Sequence, residues 1–185
     1  MAYFSEDEYH LDDFLKGSRM AFNLTDYLNP ATNKIISELL QNLWGKIGRF
    51  FNIERGALSF LDSQNEKMLI THMLKNGQIN SGVTLVIKKK NSIMHQSLEH
   101  GFPIADNFPE HLSGSTIEKK ILMSDDTRSV LLIPLIMDSV RIGVLSLSSV
   151  EECAFGTYFE GLGKGFVYEF TDRLYHLLTA EKIAV

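Results

Sequence analysis

The sequence contains one cysteine, Cys153, and one run of basic residues, Lys88-Lys89-Lys90. A single cysteine excludes an internal disulfide, argues against a structural zinc site with cysteine ligands, and is typical of a reducing compartment. Binding to nucleic acid needs a concentrated basic face, which one short run and a formal net charge of -5 do not supply. We therefore expect neither a metal nor nucleic acid as a partner.

Long apolar runs are also missing. No uninterrupted apolar segment approaches the roughly 18 residues that a membrane-spanning helix requires. Where a signal peptide would have basic residues and then an apolar run, the chain has the acidic residues Glu6, Asp7, Glu8, Asp12 and Asp13. We therefore expect a cytoplasmic protein without a membrane span or an evident anchor.

The chain does contain enough apolar residues for the core of one domain, with 44% hydrophobic residues in 185. Ser5 and Glu8 have the spacing of a capping box, which predicts a short helix that ends near Gly17. Asn29-Pro30 predicts the start of a second helix, which continues to about Phe51. We therefore divide the chain into an N-terminal helical extension, residues 1–28, and a domain, residues 29–185.

The helix after Asn29 and a second helix near the C-terminus each have a wide apolar face. Either these faces lie entirely in the core, or part of them packs on a second copy of the chain and forms a dimer bundle. Gly161, Gly163 and Gly165 predict irregular or closely packed first turns in the C-terminal helix, because each costs roughly 1 kcal/mol against alanine. The residues expected at a dimer interface are Ile36, Leu40, Leu43, Trp44, Ile47, Phe170, Leu174 and Leu177.

The middle of the chain predicts a β-meander. Strands are expected over Gly56–Leu61, Lys67–Leu74 and about Ile79–Ile87. Asn76-Gly77 separates the last two and accepts the positive φ angles of a type I′ turn, so these strands should be antiparallel.

The segment after the meander predicts a helix over Ser92–His100, ended by Gly101, and a short strand over Phe102–Ala105. A further helix should begin at Ser115 or Thr116. Ser129–Ser148 then predicts a hairpin with its turn at Asp138-Ser139. Its near-continuous Val, Leu and Ile indicate a sheet that helices cover on both faces.

These segments resemble a GAF domain over about Asn29–Leu178. The resemblance rests on RGALSFLD after a long helix, GFPIADN in mid-chain, and SVLLIPLIMDSVRIGVLSLSS before a last amphipathic helix. It implies an α+β fold with a central antiparallel sheet of about six strands, helices on both faces and long terminal helices. It also implies a pocket between the sheet and the mid-chain loops and short helices, a small regulatory ligand, and a dimer formed through the terminal helices.

Several chemistries of this family do not match the residues present. Cys153 follows the last strand, outside the pocket region, so bilin attachment is not expected. Members that reduce free methionine sulfoxide use several pocket cysteines, and this chain has one. The Asn-Lys-Phe-Asp-Glu signature of cyclic-nucleotide-binding members has no equivalent here. The resemblance therefore implies a non-catalytic module, and it identifies no cofactor.

His95, His100, His111 and Asp106 cluster in the middle of the chain and could ligate a metal. A spacing of five residues does not place His95 and His100 on one helical face, so solvated or hydrogen-bonded roles are favoured. Six side chains are expected to contact a small ligand: Phe102, Ile104, Asp106, Ile117, Ile121 and Arg128. The alternative is that they only pack in the core.

The function expected from the sequence is a cytoplasmic, bacterial-type sensory regulator that binds a small molecule and signals through a homodimer, with an effector protein acting in trans. The alternative is a ligand-free dimerisation or scaffold protein with a degenerate pocket. An unrecognised enzyme is a third possibility, which would need a titratable cluster in an open cleft.

Overall fold

The computed structural model describes residues 29–48, 50–62, 67–107, 111–156 and 159–180. The helix predicted for residues 5–17 lies outside them. Within these residues, four α-helices and six β-strands follow one another. Their bounds are α1 Pro30–Ile47, β1 Ile53–Asp62, β2 Lys67–Lys75, β3 Gln78–Lys88, α2 Ile93–His100, β4 Ile104–Asp106, α3 Thr116–Leu122, β5 Ser129–Met137, β6 Val140–Ser149 and α4 Lys164–Ala180.

Helix α1 begins as predicted and ends earlier. The Asn29 side chain accepts a hydrogen bond from the Ala31 backbone N–H at 2.9 Å, which caps the helix. The helix ends at Ile47 and does not continue to Phe51. Phe50 is 70% exposed in the following turn, and the Phe51 ring packs edge-on against Phe159 at 5.3 Å. The apolar pattern therefore continues about one turn beyond the end of the helix.

The six strands form one antiparallel sheet in the order β3-β2-β1-β6-β5-β4. Both predicted hairpins are confirmed. Their two-residue turns have positive φ angles, 49° and 77° at Asn76 and Gly77, and 50° and 63° at Asp138 and Ser139. These angles match the right-handed twist of the strands. The short strand β4 is displaced from the predicted Phe102–Ala105 to Ile104–Asp106.

The centre of the sheet requires a glycine at position 143. Gly143 in β6 pairs with Phe60 in β1, and a Cβ atom added to it would overlap the carbonyl oxygen of Ser59. The two central strands therefore approach each other more closely than a side chain here would allow.

Helices cover both faces of the sheet, as predicted. The larger apolar cluster contains α1, α4 and side chains such as Phe60, Leu135 and Leu145. The second cluster contains α2, α3 and side chains such as Met68, Leu132 and Val144. The fold therefore has three layers, and each helix pair has its own apolar contact with the sheet.

The structure corrects the residues predicted for a dimer interface. Six of the eight are at most 4% exposed and belong to the chain's own core: Ile36, Leu40, Leu43, Ile47, Phe170 and Leu174. Of the other two, Leu177 is partly buried against that core. Trp44 is also partly buried, with its indole nitrogen 3.4 Å from the Cβ position of Gly77 in the β2–β3 turn. The wide apolar face of α1 is therefore filled by its own sheet, by α4 and by this turn.

The irregular first turns predicted for the C-terminal helix are confirmed. Phe159–Gly163 form a π-helical turn before α4. A Cβ atom on Gly163 would overlap the Phe159 ring, so this glycine permits the close packing. Among the described residues, no helix has both the length and the apolar character to span a membrane.

A buried histidine connects α1 to the sheet. His72 in β2 is fully buried, and its Nε2 lies 3.3 Å from the Asn33 carbonyl oxygen in α1. Because that carbonyl can only accept, Nε2 carries the proton, and Nδ1 accepts from the Thr71 hydroxyl at 2.7 Å. Burial lowers the pKa of His72 below its ordinary value of 6.5, although the hydrogen bond with Asn33 raises it.

Candidate functional site

Helices α2 and α3 lie over the face of the sheet opposite the terminal helices. Both begin at a serine. The Ser92 hydroxyl accepts from the His95 backbone N–H at 3.0 Å, and the Ser115 hydroxyl accepts from the Glu118 backbone N–H at 3.2 Å. Helix α2 ends at Gly101, whose φ of 73° is the left-handed conformation that was predicted for it.

Glu118 joins the beginnings of the two helices. Its side chain is fully buried. Oε1 accepts from the Ser92 hydroxyl at 2.7 Å and the Met94 backbone N–H at 3.2 Å. Oε2 accepts from the Ser115 backbone N–H and hydroxyl, both at 2.9 Å. One carboxylate therefore receives four hydrogen bonds at the positive ends of two helix dipoles.

Two arginines from the sheet contact the opposite ends of these helices. Arg55 in β1 donates to the Met123 carbonyl at 3.3 Å and to the Lys120 carbonyl at 3.5 Å, at the end of α3. Arg141 in β6 donates to the Glu99 carbonyl at 3.3 Å, at the end of α2. Cations stabilise the C-terminal end of a helix, as the carboxylate stabilises its beginning. The helix pair is thus held at both ends by charged side chains.

The sheet beneath this helix pair carries small side chains at its centre. Ser146 in β6 lies between Ala57 in β1 and Leu132 in β5. It shares the face of Val144, because residues two apart in a strand point the same way. The Ser146 hydroxyl is fully buried and has no hydrogen-bond partner among the described residues. Buried hydroxyl groups are normally paired, so this one needs an explanation.

Apolar side chains fill the space around Ser146. The second cluster brings side chains of the sheet, of both helices and of the connection before α3 into direct contact. Its buried members are Ala57, Met68, Ile70, Ile87, Ile93, Met94, Leu98, Leu112, Leu122, Val130, Leu132 and Val144.

The six side chains predicted to contact a ligand do not surround one cavity. Phe102 is 58% exposed and stacks on His100 at 5.4 Å, and Ile117 is 50% exposed. The other four lie in the edge strand β4, near the end of α3 and just before β5: Ile104, Asp106, Ile121 and Arg128. Of the six, only Ile104 and Ile121 pack against the second cluster.

Sequence reasoning missed Glu118 and Ser146. The spacing Ser115-x-x-Glu118 is that of a capping box, so a search for this pattern finds the first. The second hydrogen-bond set, from Ser92 and Met94, depends on a helix 26 residues away and has no local signal. Ser146 stands at the position of an inward-facing apolar residue in a strand, which is a recognisable exception to the pattern.

The histidines weighed as metal ligands have other contacts. His95 is buried with Nδ1 3.4 Å from Glu99, and Glu99 also pairs with Lys89 at 3.0 Å. Burial alone would raise the pKa of Glu99, but the hydrogen bond from Lys89 and the proximity of His95 lower it. No group of three or more metal-ligating side chains converges within the described part of the chain.

No protein-family model and no curated protein matches the sequence. Solved structures match the fold. The GAF domain of a two-component sensor histidine kinase from Bacillus halodurans has 20% identity and a TM-score of 0.61, over 80% of this chain and 95% of that one. The GAF domain of a phosphoenolpyruvate-protein phosphotransferase from Coxiella burnetii has 16% identity and a TM-score of 0.62, over 95% and 97%. The chain therefore has the GAF-domain fold.

An enzyme shares this fold. The free methionine-R-sulfoxide reductase from Neisseria meningitidis, solved with its substrate, has 15% identity and a TM-score of 0.54, over 100% of this chain and 98% of that one. In the present chain Cys153 is exposed in the connection after β6. It is therefore not among the buried side chains beneath α2 and α3.

Proposed function

We propose that the protein is a non-catalytic sensory module that binds a small molecule between the sheet and helices α2 and α3. The observation that carries this proposal is the buried, unpartnered hydroxyl of Ser146 beside Ala57, under a helix pair held in place by Glu118. A ligand group that hydrogen-bonds to this hydroxyl would satisfy it. The residues first predicted as contacts are replaced by this central position.

The surrounding side chains define the class of ligand. They are apolar, so the ligand is a compact, mainly apolar molecule with one polar group aimed at Ser146. Met68 and Met94 are flexible enough to move aside without breaking a hydrogen bond of their own. On the helix side, the same cluster contains Leu98 of α2 and Leu122 of α3.

A thermal-shift screen against cyclic nucleotides, amino acids and aromatic acids tests the proposal. A ligand present at 100 times its dissociation constant stabilises the folded state by about 2.7 kcal/mol. That stabilisation should fall strongly in Ser146→Ala and persist in Ser37→Ala, a control in α1 on the other side of the sheet. A shift that is equal in both variants would contradict a site at Ser146.

A second function is favoured by the packing itself. The second cluster brings the helix pair into direct contact with the sheet, which suits a scaffold or dimerisation protein with a degenerate pocket. In that case no compound shifts the melting temperature, and Ser146→Ala is tolerated because it removes only an unpaired buried hydroxyl. A strongly destabilising Ser146→Ala would instead count against this alternative.

We also propose a homodimer in the cytoplasm, with its output passed to an effector protein. Since six of the eight predicted interface residues are buried in the core, a dimer would use other side chains on α1 and α4, such as Ile35 and Tyr168, which are 41% and 65% exposed. Light scattering at micromolar concentration should then report twice the chain mass of 21.0 kDa. A mass that stays at one chain would exclude the dimer.

A further inference from the structure

A groove lies between α1 and α4 on the outer side of the molecule. The C-terminal half of α1 and the N-terminal half of α4 form its walls, and an ion pair of 2.8 Å between Lys46 and Glu169 crosses it. The residues that line the groove are Leu39, Asn42, Leu43, Lys46, Phe166, Glu169, Phe170 and Arg173.

The groove combines apolar side chains with an excess of positive charge. Leu39 and Phe166 are only partly buried, so they present apolar surface. Lys46 and Arg173 share one carboxylate, that of Glu169, at 2.8 and 3.1 Å. Two cations against one anion leave this lining with a net positive charge. An acidic, amphipathic segment is the chemistry that complements it.

Residues 1–28 have that chemistry. They contain six acidic and two basic residues, so their formal net charge is -4, against -5 for the whole chain. Leu11, Phe14 and Leu15 have the spacing of one helical face, beside Asp12 and Asp13. The segment leads directly into α1, and 28 residues extend for about 42 Å even when wholly helical, against about 27 Å for α1. It can therefore reach the whole groove.

We propose that residues 1–28 dock in the groove between α1 and α4 of their own chain. Covalent linkage favours this occupant over a second copy, because a short tether gives an effective concentration on the order of millimolar, above micromolar protein. The apolar face of the segment covers Leu39 and Phe166, and its carboxylates approach Lys46 and Arg173. This inference does not depend on a ligand at Ser146.

Thiol reactivity in the full chain tests the docking. In a Cys153→Ser background, Asn42→Cys places a reporter in the groove, and Gln41→Cys places one on an exposed position of the same helix outside the lining. Docking should slow iodoacetamide alkylation at position 42 about tenfold relative to position 41, which corresponds to about 1.4 kcal/mol. The rates should not change as the protein concentration is raised from about 0.1 to about 10 μM.

Changes in the segment complete the test. Leu11→Ser combined with Phe14→Ser should abolish the protection, and Asp12→Asn with Asp13→Asn should weaken it, whereas Asn23→Ser should have no effect. Added salt should also reduce the protection, because the charged contacts are near the surface. Equal rates at both positions, or protection that survives the segment changes, would overturn the proposal. Protection that grows with protein concentration would assign the groove to a second copy and overturn it equally.

Discussion

Replacing Glu118 with glutamine exchanges one oxygen of a buried carboxylate for an NH2 group and leaves the shape of the side chain almost unchanged. The two oxygens of Glu118 each accept from one backbone N–H, that of Met94 or of Ser115, and from one hydroxyl. A glutamine amide has one oxygen and one NH2 group. Whichever way it is turned, its NH2 faces a backbone N–H, whereas the hydroxyl on that side can rotate to accept.

The expected cost follows from that single conflict. An unsatisfied buried donor costs about 1–3 kcal/mol, so Glu118→Gln should lower the free energy of unfolding by about 2 kcal/mol. For a domain of this size the melting temperature should fall by about 4–8 °C. Glu118→Ala removes the acceptor for all four donors and should cost about 3–5 kcal/mol of stability. Water that enters the cavity and accepts from these donors would reduce this cost.

Urea unfolding measures both values, and Glu38→Gln on the exposed surface of α1 is the matched control, expected within about 0.5 kcal/mol of the unchanged protein. Formate should partly restore the stability of Glu118→Ala, because the four donors then surround a space for a small anion, and it should not affect Glu38→Gln. The reasoning is refuted if Glu118→Gln is as stable as the control.

Three further changes test other parts of the fold. Because burial lowers the pKa of His72, the folded state resists protonation, and its stability should decrease as the pH falls below 6.5. The melting temperature of His72→Gln should therefore fall less between pH 7.5 and 5.5 than that of the unchanged protein. An equal fall in both proteins would contradict the assignment. Gly143→Ala should destabilise the protein by about 1–3 kcal/mol, because the added Cβ meets the Ser59 carbonyl oxygen. Gly45→Ala should instead stabilise it by about 0.5–1 kcal/mol, because Gly45 lies in a helix with open space around it. Urea unfolding should show these opposite signs. Arg55→Lys should cost about 1 kcal/mol in the same assay, since an ammonium cannot reproduce the two guanidinium contacts at the end of α3, and no change would count against that cap.

The hairpins were predictable because their determinants are local. Asn76-Gly77 and Asp138-Ser139 can adopt positive φ angles, and the flanking residues alternate or run continuously apolar as a buried sheet requires. The cap at Ser115 and the end at Gly101 are local in the same sense. Together with the apolar patterns, they were enough to predict the antiparallel sheet and the helices on both faces.

The contacts of the helices were not predictable in this way. The stripe that contains Ile36 and Leu40 shows that one face is buried, but a sheet of the same chain and a second copy produce the same pattern. The predicted ligand contacts depend on tertiary packing in the same way. Phe102 and Ile117 are near each other in the order of elements, but the sheet order separates the edge strand β4 from the strands under α3, and both side chains remain exposed.

The shared carboxylate has a consequence for motion. If α3 moved away alone, Glu118 would leave with it and the Ser92 hydroxyl and Met94 N–H of α2 would lose their acceptor; if α2 moved alone, the anion would lose half of its donors. Either separation is costly, so the two helices are expected to move together as one rigid unit. Any signal that begins beneath them would thus be transmitted as a cooperative step.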